Sequence, residues 1–128
     1  MSTSIALRSV RRSPAACEPD ALSRALGDPT RVRIANLLAA GELCVCDLVE
    51  LLALPQPTVS RHLAVLRTSG IVRARRRGRY VHYRLAEPGS AFHAALLRAI
   101  RRDLDEPGLA GERSRALECV AERRRNPC

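Results

Sequence analysis

Two cysteines one residue apart, Cys44 and Cys46, stand in the run Gly41-Glu42-Leu43-Cys44-Val45-Cys46-Asp47-Leu48. Paired sulfurs with no histidine beside them suit thiophilic ions, As(III), Sb(III), Cd(II) or Pb(II), rather than Mg or Mn. A position near a helix N-terminus lowers a thiol pKa and so favours the ligating thiolate. Each helical residue advances about 100°, so residues two apart point about 200° from one another. Cys44 and Cys46 therefore share one ion only if the first turn unwinds, or if Cys44 lies outside it as a cap. Ligation would then distort the helix that leads into the next element. Two other readings compete: small buried residues with no chemistry, and a redox pair oxidised to a disulfide or persulfide.

Ten residues on, Gln56-Pro57-Thr58-Val59-Ser60-Arg61-His62-Leu63 has the pattern of a recognition helix. Its exposed N-terminal half offers Gln56, Thr58, Ser60, Arg61 and His62, the half that meets base edges in the major groove. Gln56 suits adenine and Arg61 suits guanine. His62 reads as a base or phosphate contact, or else as a capping or packing residue. Arg67 lies further along the same helix as another DNA contact. Arg75, Arg76, Arg77 and Arg79 fit phosphate or minor-groove contacts, while Arg73 and Arg84 also suit structural ion pairs.

The charge balance points the same way. The chain carries a formal net charge of +9, and all 22 of its basic residues are arginine. A GC-rich genome accounts for the missing lysine but not for the excess charge. Arginine forks match phosphate and guanine edges bidentately. From Arg61 to Arg84 there are eight arginines, and no acid occurs between Glu50 and Glu87. Such a surface releases counterions on DNA, so its affinity falls steeply with salt.

The elements that must position these groups are mostly helical. Leu22 and Leu26, then Val32, Ile34, Leu37 and Leu38, mark two helices interrupted by Asp28-Pro29-Thr30, with Asp28 as N-cap and Pro29 at the first helical position. Gly41 stops the second. Leu43 to Leu52 predicts a third helix with the stripe Val45, Leu48, Val49 and Leu52. After a turn at 53–56, a fourth helix runs from about Gln56 to Thr68 and buries Val59, Leu63 and Leu66. Ile71 to Arg76 and Tyr80 to Leu85 predict a β-hairpin across the three-residue connection Arg77-Gly78-Arg79. Phe92, Leu96, Leu97, Ile100 and Leu104 mark one face of a further helix.

This order is a winged helix-turn-helix, mainly α with one small hairpin. Residues 1–18 read as a disordered basic arm, 19–105 as the DNA-binding and dimerisation domain, and 106–128 as a charged, weakly helical tail with two cysteines. With no Trp, one Phe and two Tyr, the core is aliphatic and small, which favours dimerisation. Five cysteines, an odd number, argue against a secreted disulfide framework and for free thiols in a reducing cytoplasm. No apolar run approaches a membrane span. There is no Ser/His/Asp order, no phosphate-cradling glycine loop and no base beside Cys46, so an enzyme is not expected.

Four segments in series, Leu26 to Ile34, Glu42 to Leu48, Pro57 to Leu66 and Gly78 to Leu85, resemble the ArsR/SmtB family of metalloregulatory repressors over about residues 20–104. The resemblance is greatest to the arsenic-responsive branch. It implies a homodimer joined by the first and last core helices, binding an inverted repeat in double-stranded DNA. The expected function is an As(III)- or Sb(III)-responsive repressor of an arsenic-resistance operon, with Cys44 and Cys46 as ligands. A Cd(II)/Pb(II) repressor of the same family and a thiol redox repressor are the alternatives, and no organic cofactor is implied.

The chain departs from the familiar arsenic pattern, whose third cysteine follows the second by three residues; Val49 stands there. A third sulfur must come from Cys17, Cys119 or Cys128, or be lacking. The cadmium/lead branch uses two cysteines of the N-terminal arm, and this chain has only Cys17. The family's zinc site matches Glu87, Gly89, Ile100 and Asp103, without its histidines, so a zinc sensor is not expected. His93 is then a surface or interface residue.

Overall fold

The computed structural model describes residues 18–126. Its elements run α1 (Pro19–Ala25), α2 (Pro29–Leu38), β1 (Leu43–Cys44), α3 (Val45–Leu52), α4 (Gln56–Ser69), β2 (Val72–Arg77), β3 (Tyr80–Leu85), α5 (Ala91–Arg102) and α6 (Pro107–Arg125). The winged helix-turn-helix read from the sequence is what forms.

Local chemistry sets the boundaries. The Asp28 carboxylate accepts from the N–H groups of Thr30 (2.8 Å) and Arg31 (3.3 Å), satisfying two donors that a helix start leaves without partners. Between α3 and α4 the chain turns at Ala53, whose φ of 57° lies in the left-handed region. Gly70 ends α4 at φ 92°, and the Ile71 N–H reaches back to the Leu66 carbonyl, closing the last turn. Leu22, Ile34, Leu37, Leu38, Leu48, Leu63, Leu66 and Ile71 form one fully buried aliphatic core. Each such side chain is worth about 1.5–3 kcal/mol of burial.

Within residues 19–105 four features differ from the sequence reading. Leu43 and Cys44 are not helical: they form a third strand, so the sheet has the order β1-β3-β2, antiparallel throughout. Helical periodicity cannot distinguish two apolar residues in a strand from the start of a helix that follows without a break. The hairpin is tighter than three residues, because Arg77 still pairs with Tyr80 and only Gly78 and Arg79 turn. His93 is fully buried rather than on the surface. Its Nδ1 accepts the Gly89 N–H at 2.9 Å, fastening the start of α5 to the loop before it. Phe92, read as part of the buried face of α5, is instead 43% exposed.

The tail is a 19-residue helix, α6, docked along α2 and α3. Asn36 of α2, fully buried, donates from Nδ2 to the Leu109 carbonyl (2.8 Å) and accepts at Oδ1 from Arg113 Nε (3.0 Å). Arg113 also donates to the carbonyl of Ile100 at 2.8 Å, satisfying an acceptor in the last turn of α5. Arg33 pairs with Glu112, Nη2 to Oε2 at 2.6 Å. At the far end Val120 packs onto Gly41, where any Cβ would sit 3.0 Å from a Val120 methyl.

Candidate functional site

The thiol pair lies where strand becomes helix. Cys44 ends β1 and is the N-cap of α3, with φ −84° and ψ 165°, so its side chain leaves the chain in an extended rather than helical direction. Cys46 is the second residue of the helix. Because the cap lies outside the helical spiral, the angular separation of an ideal helix does not apply. The two sulfurs meet each other as in a disulfide, with the Cα atoms 5.4 Å apart. Cys44 is fully buried and Cys46 is exposed.

Asp47 is the third member of the cluster. Its carboxylate is 2% exposed and accepts from the Cys44 N–H (3.4 Å) and, in the thiol form, from Cys44 Sγ at 3.2 Å. Sulfur–sulfur bonding and the S–H donor bond are alternatives, since the first requires the oxidised pair and the second a proton. Arg123 of α6 neutralises the buried carboxylate, Nη2 to Oδ1 at 2.7 Å. Without such a partner a buried carboxylate is costly. Cys119 lies one helical turn before Arg123, and burial, with the nearby Asp47 carboxylate, pushes its thiol up to about 11.

Ligand atoms of Cys44, Cys46 and Asp47 lie within 4.8 Å of one another, close enough for one ion to touch all three. Two soft donors and one hard one suit a thiophile, not a hard cation. Cys17 and Cys128 lie outside the described residues.

The site shares a sheet with the wing. Cys44 pairs with His82 on β3, and His82 pairs with Arg75 on β2, so the three form one row across the sheet. Beside them Glu42 contacts Arg75 (3.2 Å), Arg77 (3.6 Å) and His82 Nδ1 (3.6 Å). A displacement at Cys44 therefore reaches the wing through one strand's hydrogen bonds.

The residues expected to face DNA are mostly exposed. Gln56, Ser60, Arg61 and Arg67 are exposed along α4, and Thr58 is half-buried. Arg75, Arg76, Arg77 and Arg79 are exposed on the wing. His62 is half-buried, and its Nδ1 faces Arg31 Nη1 at 3.2 Å. Arginine only donates, so Nδ1 accepts and Nε2 carries the imidazole proton. Arg31 is itself fixed by the Ala25 carbonyl at 2.6 Å. Arg73 and Arg84 both pair with Glu87, at 3.4 Å and 2.7 Å, the structural role that the sequence allowed them.

Sequence reasoning did not single out Asp47, Glu42 or Arg123. Asp47 carries a local signal, an acid three residues after a helix cap. Arg123 carries none, since its partner is 76 residues away.

The model of the bacterial regulatory protein arsR family matches residues 28–74. Over 110 residues the chain is 40% identical to the arsenic resistance transcriptional regulator ArsR1 of Pseudomonas putida, covering 85% of this chain and 84% of that protein. The chain belongs to the ArsR family. The arsenical resistance operon repressor of Escherichia coli is 48% identical over 80 residues, 62% of this chain and 68% of that one. Among solved structures, HlyU from Vibrio cholerae superposes with a TM-score of 0.59 at 31% identity, over 68% of this chain and 91% of that one. As a member of the ArsR family, the protein is a DNA-binding transcriptional repressor and not an enzyme. Among the described residues no helix is long and apolar enough to cross a membrane.

Proposed function

We propose that this ArsR-family protein represses arsenic-resistance genes and releases its operator when As(III), or Sb(III), is held by Cys44 and Cys46. The observation that carries the reading is the meeting of two sulfurs at the N-cap of α3, in the same sheet as the wing. The names of the two curated relatives, both of arsenic resistance, support the choice of metalloid. As(III) would supply strong bonds to sulfur, and every other part of the response belongs to the chain. Cys44 gives up its bond to Asp47, and the strand pairing of β1 carries the shift to His82 and the wing. The α3 cap loosens at the same time, and α3 is the helix against which α4 packs.

On DNA, Gln56, Thr58, Ser60 and Arg61 would face base edges, with His62 held by Arg31 at the backbone. Arg67, Arg76 and Arg79 would neutralise phosphates, and Arg75 and Arg77 would add to them when freed from Glu42. A homodimer supplies the second half-site, and the exposed Phe92 on α5 supports an interface through α1 and α5.

The test is fluorescence anisotropy of the fully reduced protein on an inverted-repeat duplex, titrated with As(III), Cd(II), Pb(II) and Zn(II). As(III) is expected to release the wild type and not Cys44→Ser/Cys46→Ser. Release by Cd(II) or Pb(II) alone would move the protein to the alternative metal class.

A redox repressor is the second reading, favoured by the sulfur–sulfur contact. Two thiols and one hydrogen peroxide would give the disulfide and two waters. Release by peroxide, with no response to any ion under strict reduction, would select it.

A further inference from the structure

We propose that Cys119, on α6, is the third sulfur ligand of the site whose first two are Cys44 and Cys46. The proposal rests on the arsenite reading above and specifies what completes that site.

A two-sulfur site leaves a trivalent arsenic one bond short. The nearest remaining donor is the Asp47 carboxylate, but oxygen is a poor match for a soft centre that sulfur satisfies better. Among the described residues one further cysteine exists, Cys119. It lies on the face of α6 that reaches the carboxylate Cys44 touches: Asp47 accepts from the Cys44 thiol at 3.2 Å and from Arg123, one helical turn after Cys119, at 2.7 Å. The Asp47 carboxylate therefore links the Cys44 thiol to the face of α6 that carries Cys119.

The backbone around Cys119 is fixed on both sides. Arg123, four residues later and so on the same face of α6, is bonded to Asp47. Val120 rests against Gly41, where the absence of a side chain lets α6 approach the strand that carries Cys44. These contacts hold the face of α6 that carries Cys119 beside the segment that bears the thiol pair. Asp47 gives up its bond to the Cys44 thiol and keeps Arg123 as its partner.

The reaction balances without an oxidant. Arsenous acid, As(OH)3, reacts with three thiols to give the tris-thiolate and three waters. Each S–H proton leaves with a hydroxyl, three As–O bonds are exchanged for three As–S bonds, and arsenic stays trivalent.

X-ray absorption at the arsenic edge counts the ligands in the reduced full chain carrying one equivalent of arsenite. The wild type is expected to show three sulfurs, Cys119→Ser two sulfurs and one oxygen, and Cys17→Ser/Cys128→Ser three sulfurs. Alkylation mapped by mass spectrometry gives a check on the unaltered chain: arsenite should protect Cys44, Cys46 and Cys119 together and leave Cys17 and Cys128 reactive. Three sulfurs in Cys119→Ser, or alkylation of Cys119 in the loaded wild type, overturns the proposal and leaves the arsenite reading intact. A reduced wild type that takes up no arsenite overturns that reading and this proposal with it.

Discussion

Glu42 pairs with Arg75 and Arg77 between β1 and the hairpin tip, and replacing it should change how the wing meets DNA. Its Oε2 contacts Arg75, Arg77 and His82 together. With Arg75 and Arg77 so engaged, each wing offers Arg76 and Arg79 to phosphate. A dimer then neutralises four phosphates through its wings, and log Kobs falls against log salt with a slope of about −3.6 from this source. Glu42→Gln releases two more arginines per wing, which raises the count to eight and steepens the slope to about −7. Between about 50 and 200 mM salt the wing contribution would thus fall by about 10²-fold in the wild type and about 10⁴-fold in the variant. Contacts from α4 add equally to both and cancel in the comparison. The assay is anisotropy of a labelled inverted-repeat duplex over that salt range, with circular dichroism to confirm an unchanged fold. The arginine ends of these pairs are more than half exposed, so each pair contributes only about 0–1 kcal/mol to stability and folding should hardly change. Equal slopes for the two proteins would refute the reasoning, because they would mean that phosphate displaces Glu42 and the wild-type wing already uses its full charge.

Asp28→Ala should cost about 1 kcal/mol in urea unfolding at neutral pH through loss of the α2 cap. Partial burial acts to raise the Asp28 carboxyl, but the N–H groups of Arg31 and Thr30 and the Arg31 charge outweigh it and hold it below its ordinary 3.8. A depressed carboxyl stabilises above that value and loses its contribution as pH falls through the folded pKa, so the gap between wild type and variant should close in acid. Burial holds His93 below its ordinary 6.5, so stability should decline as pH drops under that value and the unfolded chain takes up a proton. His93→Gln, whose amide oxygen can accept the Gly89 N–H, should lose that pH dependence; an unchanged profile would count against it. Ala53→Gly should raise stability by about 0.5–1 kcal/mol, since glycine adopts the left-handed turn without steric cost; a lower melting temperature would contradict this. Asn36→Ala should cost about 2–3 kcal/mol and speed proteolysis of α6, because it removes two buried hydrogen bonds, one of them from a guanidinium.

The reader of DNA was legible in the sequence because its signals are local. Asp28-Pro29 announces a helix start, Gly70 an end, and eight arginines with no acid announce the partner. The thiol pair was legible as chemistry, and the condition that Cys44 cap the helix is met. What holds the pair in place was not legible. β1 is two residues long, too short for any alternation to register, and it exists because β3 offers an edge beside it. The docking of α6 depends on Asn36 meeting Arg113, Asp47 meeting Arg123 and Gly41 meeting Val120, pairs more than 70 residues apart that no periodicity reveals. α6 read as a charged, weakly helical tail because its buried stripe is only Ala116 and Val120.

Those same three pairings limit how this repressor can be rebuilt. Grafting residues 41–48 into another winged scaffold would carry the thiols across but strand Asp47 without its counter-ion and leave Gly41 facing a void. A working chimera must transplant α2, the thiol segment and α6 as one set. Natural variants are expected to change Asn36, Gly41 and Asp47 in step with Arg113, Val120 and Arg123, so that the two ends of the chain diverge together.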